Sequence, residues 1–426
     1  MQPEDIKDAE VISKSIITKF DMMGISVSEG SVVNNTSNAL AVLQTNKNFN
    51  NAIWFDEFHQ KIFTSYDPYE SNFGNIVREW DEEDNIRLSV FMQRELNMTK
   101  MSDEMVSKAI RIYAKKNIKN EPKDWMNELK WDQEPRIESF FINCAGAEDN
   151  EYTRAVSKNF WISIIARVFT PGCKVDTMPI LEGGQGMFKS TLLQVIGGNL
   201  HCEASHDIKH KDFFQGLHGK LIIEFADLSS FSKTEVNLIK DILVRRSDHI
   251  RLPYAKLYKD FPRQSVFSGT TNNTTYLKDP TGARRFWPIK TGKINLELAK
   301  NTRKQLFAEA VFLFKDGQKW WDMPSRAEEE QEERREIDPW ESLIYEYIYQ
   351  RFETTTSDIM KNCLNFSNSN ITRSEEIRVG NILRLFKWDR KQKRIGESRQ
   401  YVYTPPALTG DIKNLPDEQL NVNWED

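Results

Sequence analysis

The stretch Leu181-Glu182-Gly183-Gly184-Gln185-Gly186-Met187-Phe188-Lys189-Ser190-Thr191-Leu192-Leu193 decides how this chain is read. Gly183, Gly186, Lys189 and Ser190 stand at the spacing of a phosphate-binding loop, with Phe188 where the usual pattern has its second glycine. Glycines let successive backbone N–H groups turn inward onto phosphate oxygens, and the helix that follows offers its positive N-terminal end to the same anion. In that pattern Lys189 reaches the β- and γ-phosphates and the Ser190 hydroxyl ligates Mg²⁺. Residues Gly183, Gly184, Gln185, Gly186, Met187, Phe188, Lys189, Ser190 and Thr191 therefore form the candidate ATP cradle. The plain alternative is a glycine-rich turn with a chance Lys-Ser pair.

The flanks supply the context the loop needs. Met178, Ile180 and Leu181 make a short apolar run before it, and Leu192, Leu193, Val195 and Ile196 give a helical face after it, stopped by Gly197 and Gly198. Strand, loop and helix follow in order. Two features run against the pattern: Pro179 lacks the N–H of a central strand residue, and Phe188 adds bulk where backbone usually approaches phosphate.

Composition bounds the rest. With 58 Lys and Arg against 63 Asp and Glu in 426 residues, the net charge of −5 does not advertise nucleic-acid binding, so any basic surface is local. Cys144, Cys173, Cys202 and Cys363 are far apart and form no CxxC pair, which fits a reducing cytosol better than a disulfide framework. No apolar run approaches membrane-spanning length, and Met1-Gln2-Pro3-Glu4-Asp5 has no basic, apolar leader pattern. His206 and His210 are four apart near Cys202 and Glu203, but HExxH spacing is lacking and surface histidines are the expectation.

Three regions are expected. Residues 1–135 read as a mixed, mainly helical domain, with a hairpin near Asn51–Phe58 and Gln60–Phe63 and a helix over Asp103–Lys115. Residues 136–325 read as an α/β layered core of apolar runs alternating with helical patterns. From 326 on, the run Arg326–Glu336 is so charged that a solvated helix or linker is expected. Beyond it, helices near Trp340–Phe352, Ile359–Leu364 and Ile377–Phe386, then a strand over Gly396–Pro405, suggest a winged-helix-like module. The fold class is thus α/β, a P-loop (AAA+-like) core between a mostly helical N-terminal domain and a winged-helix-like C-terminal domain.

A phosphate loop alone only binds; hydrolysis also needs a metal-holding acid, a group that positions water and a cation for the transition state. Gly219–Asp227 reads as a buried strand ending in acids, with Glu224 placed for the Mg²⁺ shell and Asp227 close behind. Asn272 closes the next strand, Ser265–Asn272, at the carboxyl end where α/β sheets bind ligands. Arg284 and Arg285 follow as candidates for a finger acting across a subunit interface. Ordinary strand-end acids, a turn asparagine and an exposed arginine pair are the plain alternatives.

The ordered set of the 183–191 loop, Ile222–Leu228, Arg251–Tyr254, Pro262-Arg263, Gly269–Asn272 and Thr281–Pro288 resembles the virulence-associated protein E family, superfamily 3-like helicases of phages, plasmids and phage-inducible islands. Trp131–Arg136 and Pro171-Gly172 extend the resemblance, which covers roughly residues 30–290. It implies an ATP-dependent replicative helicase, a hexameric ring moving 3′ to 5′ on single-stranded DNA. It also implies Lys189 and Ser190 on ATP and Mg²⁺, Glu224 and Asp227 as the acids, Asn272 as sensor, and Arg284 or Arg285 as finger. The acidic motif here is Glu-Phe-Ala-Asp rather than adjacent acids, so either acid fits the catalytic role.

Two basic segments are the candidate DNA contacts. Within residues 240–256, Arg251, Tyr254 and Lys256 would track phosphates and stack on bases, or serve the subunit interface instead. Near the C-terminus Lys391, Lys393 and Arg394, interleaved with Trp388 and Tyr401, suit an origin or forked duplex, or form a solvated basic face. A primase-helicase is one rival, although the N-terminal stretch shows no polymerase acid cluster. A non-motor origin-binding or interference protein on the same scaffold is the other.

Overall fold

The computed structural model describes residues 25–28, 31–66, 77–204, 208, 210–251, 257–277, 283–367, 370–395 and 398–406. It divides into two compact units, one within Met1–Tyr276 and Gly282–Arg334, the other within Leu277–Thr281 and Arg335–Asp426.

At the centre of the first unit lies a five-stranded, all-parallel sheet built from β1 (Met178–Glu182), β2 (His201–Glu203), β3 (Ile222–Phe225), β4 (Val266–Thr271) and β5 (Phe286–Lys290). Their spatial order is β5-β1-β4-β3-β2. Because β1, β3 and β4 are buried on both faces, they read as continuous apolar runs rather than alternating ones. Pro179 is tolerated in β1 because pairing with β4 begins one residue later, at Ile180↔Gly269. Helix α1 (Lys189–Gly197) follows the loop after β1.

Helix Glu151–Phe169 packs on the sheet, and Leu296–Lys315 packs against that helix and α1. The first is buried nearly all round, which is why its apolar residues show no single stripe. Trp161 packs edge-on to Phe307 of the second at 5.1 Å. Residues 25–119 add a smaller sheet, ordered Arg78–Glu79, Lys61–Thr64, Ile53–Asp56, Ile118–Lys119, backed by helices Thr36–Thr45, Glu82–Glu95 and Asp103–Ala114. The expected hairpin is there, with Ile53↔Thr64 through Asp56↔Lys61. Buried Asp56 ties this sheet to the core side by accepting from the backbone of Phe58, His59 and Glu121.

The charged run is a correction. Arg326–Glu333 is a helix packed inside the first unit, with Ala327, Gln331 and Arg334 buried and Gln331 Nε2 donating to Phe286 O at 3.0 Å. The division therefore falls after Arg334, not at 326, because this helix buries one face against β5.

In the second unit, Trp340–Ile348, the turn Thr356–Cys363 and helix Arg373–Leu385 enclose a core of Ile344, Ile359, Met360, Val379 and Leu383. Thr372 and Glu375 form a capping box, so the last helix begins four residues before the expected Ile377. An antiparallel hairpin follows, Asp389–Ile395 with Ser398–Thr404.

Candidate functional site

The loop after β1 sits at the carboxyl end of the parallel strands. Gly183 has no room for a side chain, since a Cβ there would lie 2.5 Å from Thr291 Oγ1. Phe188 takes φ +63°, a left-handed conformation that costs a residue with a Cβ roughly 1–2 kcal/mol. Its ring points outward, 59% exposed, and does not fill the loop. α1 starts with no side-chain cap, and the backbone N–H groups of Lys189, Ser190 and Thr191 meet no acceptor among the described residues.

Lys189 is buried, and its Nζ donates to Gly183 O at 2.7 Å, Gly184 O at 2.8 Å and Asn272 Oδ1 at 3.0 Å. Burial lowers its pKa, while Asp227 and Glu224 work in the opposite direction. Asn272 is exposed just past the end of β4, so the loop and the neighbouring strand meet through this amine.

Glu224 on β3 is fully buried and lies within the strand rather than at its tip. Its Oε1 accepts from Ser190 Oγ at 2.5 Å and Thr270 Oγ1 at 2.9 Å, and its Oε2 lies 3.1 Å from His201 Nε2 on β2. Burial pushes this carboxyl up, but the bonds from His201, Ser190 and Thr270 outweigh it and hold the group below the usual glutamate value. Asp227 differs. It is exposed, left-handed at φ +47°, and accepts from Ser229 Oγ at 2.5 Å.

Two hydrogen-bonded pairs, Lys189 with Asn272 and Ser190 with Glu224, thus stand side by side on adjacent residues at the start of α1, with Asp227 at the margin. The arginines are elsewhere. Arg284 and Arg285 occupy the turn before β5, at the amino end of the sheet, where Arg285 Nη1 donates to Lys240 O at 3.4 Å and its buried Nε has no partner among the described residues. Sequence reasoning missed His201 and Thr270. His201 carries no motif, Thr270 lies in the Gly269–Asn272 block with no role of its own read there, and both reach Glu224 through strand pairing.

A second buried carboxylate lies one residue before the loop. Glu182 accepts from Tyr276 Oη at 2.7 Å and Arg334 Nε at 3.0 Å. Burial pushes Glu182 up and its partners pull it back in part, whereas the acids around Arg334 outweigh burial and raise the guanidinium. Arginine does not shed its proton at 3.0 Å from a carboxylate, so the pair is ionised near neutral pH.

Arg251 is exposed at the end of Ser247–Ile250, which pairs with Lys259–Pro262, and its guanidinium lies 6.0 Å from the Tyr258 ring centre. Buried Arg263 anchors this hairpin by donating to Asp248 and to Ile242 O. Tyr254, Lys256 and His206 lie outside the described residues. In the second unit Lys391, Lys393 and Arg394 are exposed on Asp389–Ile395, Lys393 pairs with Glu353 at 2.7 Å, and Arg390 lies 3.5 Å over Tyr401. Among the described residues no helix is long and apolar enough to cross a membrane.

A profile of the Virulence-associated protein E-like domain matches residues 126–338. Two similar solved structures are apo forms of the NrS-1 C-terminal region (305–718). One is 14% identical with TM-score 0.46 over 83% of this chain and 96% of that one. The other, the A form, is 13% identical with TM-score 0.47 over 87% and 100%. No curated protein matches.

Proposed function

This chain belongs to the virulence-associated protein E-like domain family, and from that premise we propose that it is an ATP-dependent DNA helicase of the superfamily 3-like type. It would act in replication of a phage or other mobile element in the bacterial cytoplasm. The observation that carries the reading is the two hydrogen-bonded pairs, Lys189 with Asn272 and Ser190 with Glu224, side by side at an uncapped helix start. These donors fit a polyphosphate, and the Ser190–Glu224 pair offers hard oxygen ligands of the kind Mg²⁺ takes. The β5-β1-β4-β3-β2 order further supports a P-loop, AAA+-like core.

In this reading residues 183–191 cradle ATP. Lys189 leaves the carbonyls of Gly183 and Gly184 for the phosphates, while Ser190 and Glu224 hold Mg²⁺. Bound ATP supplies the phosphoryl group whose transfer to water drives movement. Glu224, already fixed by His201 and Thr270, takes the metal role, and exposed Asp227 with Asn272 orients the attacking water. Arg284 and Arg285, at the far end of the sheet, serve the neighbouring copy in a homo-oligomeric ring, a hexamer. Arg251, Tyr254 and Lys256 contact single-stranded DNA, and the winged-helix-like module with Lys391, Lys393 and Arg394 holds forked or origin duplex. Regions 1–135 and 136–334 divide the work within the first unit, with the helix Arg326–Glu333 belonging to the motor, and the second unit is the DNA-holding module. The outward Phe188 ring disfavours the non-motor alternative, in which it would occlude the loop.

The test is strand separation on a forked duplex with ATP and Mg²⁺. The native chain is expected to unwind it and Lys189→Ala to leave it paired. Equal traces from both proteins would end the helicase reading.

A further inference from the structure

Phe188 and one cleft stay unexplained by the nucleotide site. The cleft, about 640 Å³, opens at the amino end of the sheet and is lined by Trp320, Trp321, Met323 and Pro324 together with Arg284 and Arg285. Trp320 is fixed by its Nε1 bond to Lys174 O and by an edge contact 4.8 Å from Trp321, whose own ring is 53% exposed. An aromatic-walled cavity of this size is a ready acceptor for a ring from another molecule.

The chain carries a matching projection. Phe188 is a large exposed apolar side chain in a backbone conformation that favours glycine, set directly before Lys189. It cannot reach its own cleft. Lys174, Asp176 and Thr177 on the cleft wall precede β1, and Phe188 follows it, so the two lie at opposite ends of one strand, roughly 17 Å long at 3.3 Å per residue. Complementary features at opposite ends of one body meet only head to tail, between copies, and such a contact closes into a ring when the rotation permits.

We propose that Phe188 of one copy seats in the Trp320–Trp321 cleft of the next. This rests on the ring reading above and extends it to a specific contact. Charge agrees. Among the described residues Lys174, Arg284 and Arg285 line the receiving cleft against the two acids Asp176 and Glu328, and Asp227 is exposed near the inserting loop. Seating the ring carries the arginine pair toward the phosphate side of Lys189, so the aromatic residue in the glycine position is a docking knob that aligns the finger.

The experiment measures assembly of the full chain with ATP and Mg²⁺ by sedimentation velocity. Phe188→Ala and Trp321→Ala should each weaken assembly roughly thirtyfold, the loss typical of a central aromatic anchor. An equimolar mixture of the two variants keeps one intact contact per pair and should yield heterodimers but no larger species. That complementation would not follow if either change merely damaged the fold. If the native chain never assembles, the ring reading and the contact fall together. If it assembles and either variant matches it, or the mixture equals the sum of its parts, the ring stands and the contact is wrong.

Discussion

Glu182 and Glu224 are both buried on neighbouring parts of one parallel sheet, yet they are built differently. Glu182 is held by a permanent cation, Arg334, and by Tyr276. Among the described residues Glu224 is held by hydroxyls and an imidazole, from Ser190, Thr270 and His201. The first arrangement locks. The second keeps a carboxylate ionised with partners that can let go, which a metal-holding acid requires. The difference teaches that burial of an acid does not mark function; the release cost of its partners does.

The largest expected effect strikes the locked carboxylate. Arg334→Met leaves Glu182 buried without its cation and should cost about 3–5 kcal/mol in denaturant unfolding, while adding Glu182→Met should recover most of it. Should the single variant unfold like the native chain, the lock is misread. Next comes Glu224→Gln, which should cut ATP turnover by roughly 10²–10³, the scale of losing one charge-stabilising group, with unfolding changed far less than for Arg334→Met. A smaller effect separates the two by pH. Glu224 is depressed, so its contribution to stability is full above the ordinary value of 4.5 and is lost as pH falls through its lowered pKa. Glu182 is raised, so its contribution is full below 4.5 and fades as pH rises through its higher pKa. Melting curves of the two Glu→Gln variants against pH should therefore diverge from the native chain in opposite directions; parallel curves would erase the distinction.

Local signals made much of this legible. The glycines and Lys189 mark the loop, apolar runs mark β1, β3 and β4, and the acid inside β3 and the asparagine after β4 mark its partners, all from residues close in sequence. What stayed hidden depends on long-range pairing. His201 meets Glu224 because β2 lies beside β3, and Arg334 meets Glu182 across more than a hundred residues. The packed face of the helix Arg326–Glu333 is hidden from the sequence because its buried stripe, Ala327, Gln331 and Arg334 at i, i+4 and i+7, is mostly polar, while Glu328, Glu329, Glu332 and Glu333 are exposed. Hydrophobic periodicity cannot register a face that buries an arginine on a glutamate. Phe188 was legible as a departure from the pattern, whereas its outward direction needed the backbone.

The central claim is that Lys189 and its partners turn over ATP in response to DNA. Steady-state hydrolysis with and without single-stranded DNA, for the native chain and Lys189→Ala, tests it most directly. Native hydrolysis should rise with DNA, and turnover should be lower by roughly 10² or more in the variant. Native activity no higher than that of Lys189→Ala in both conditions would contradict it.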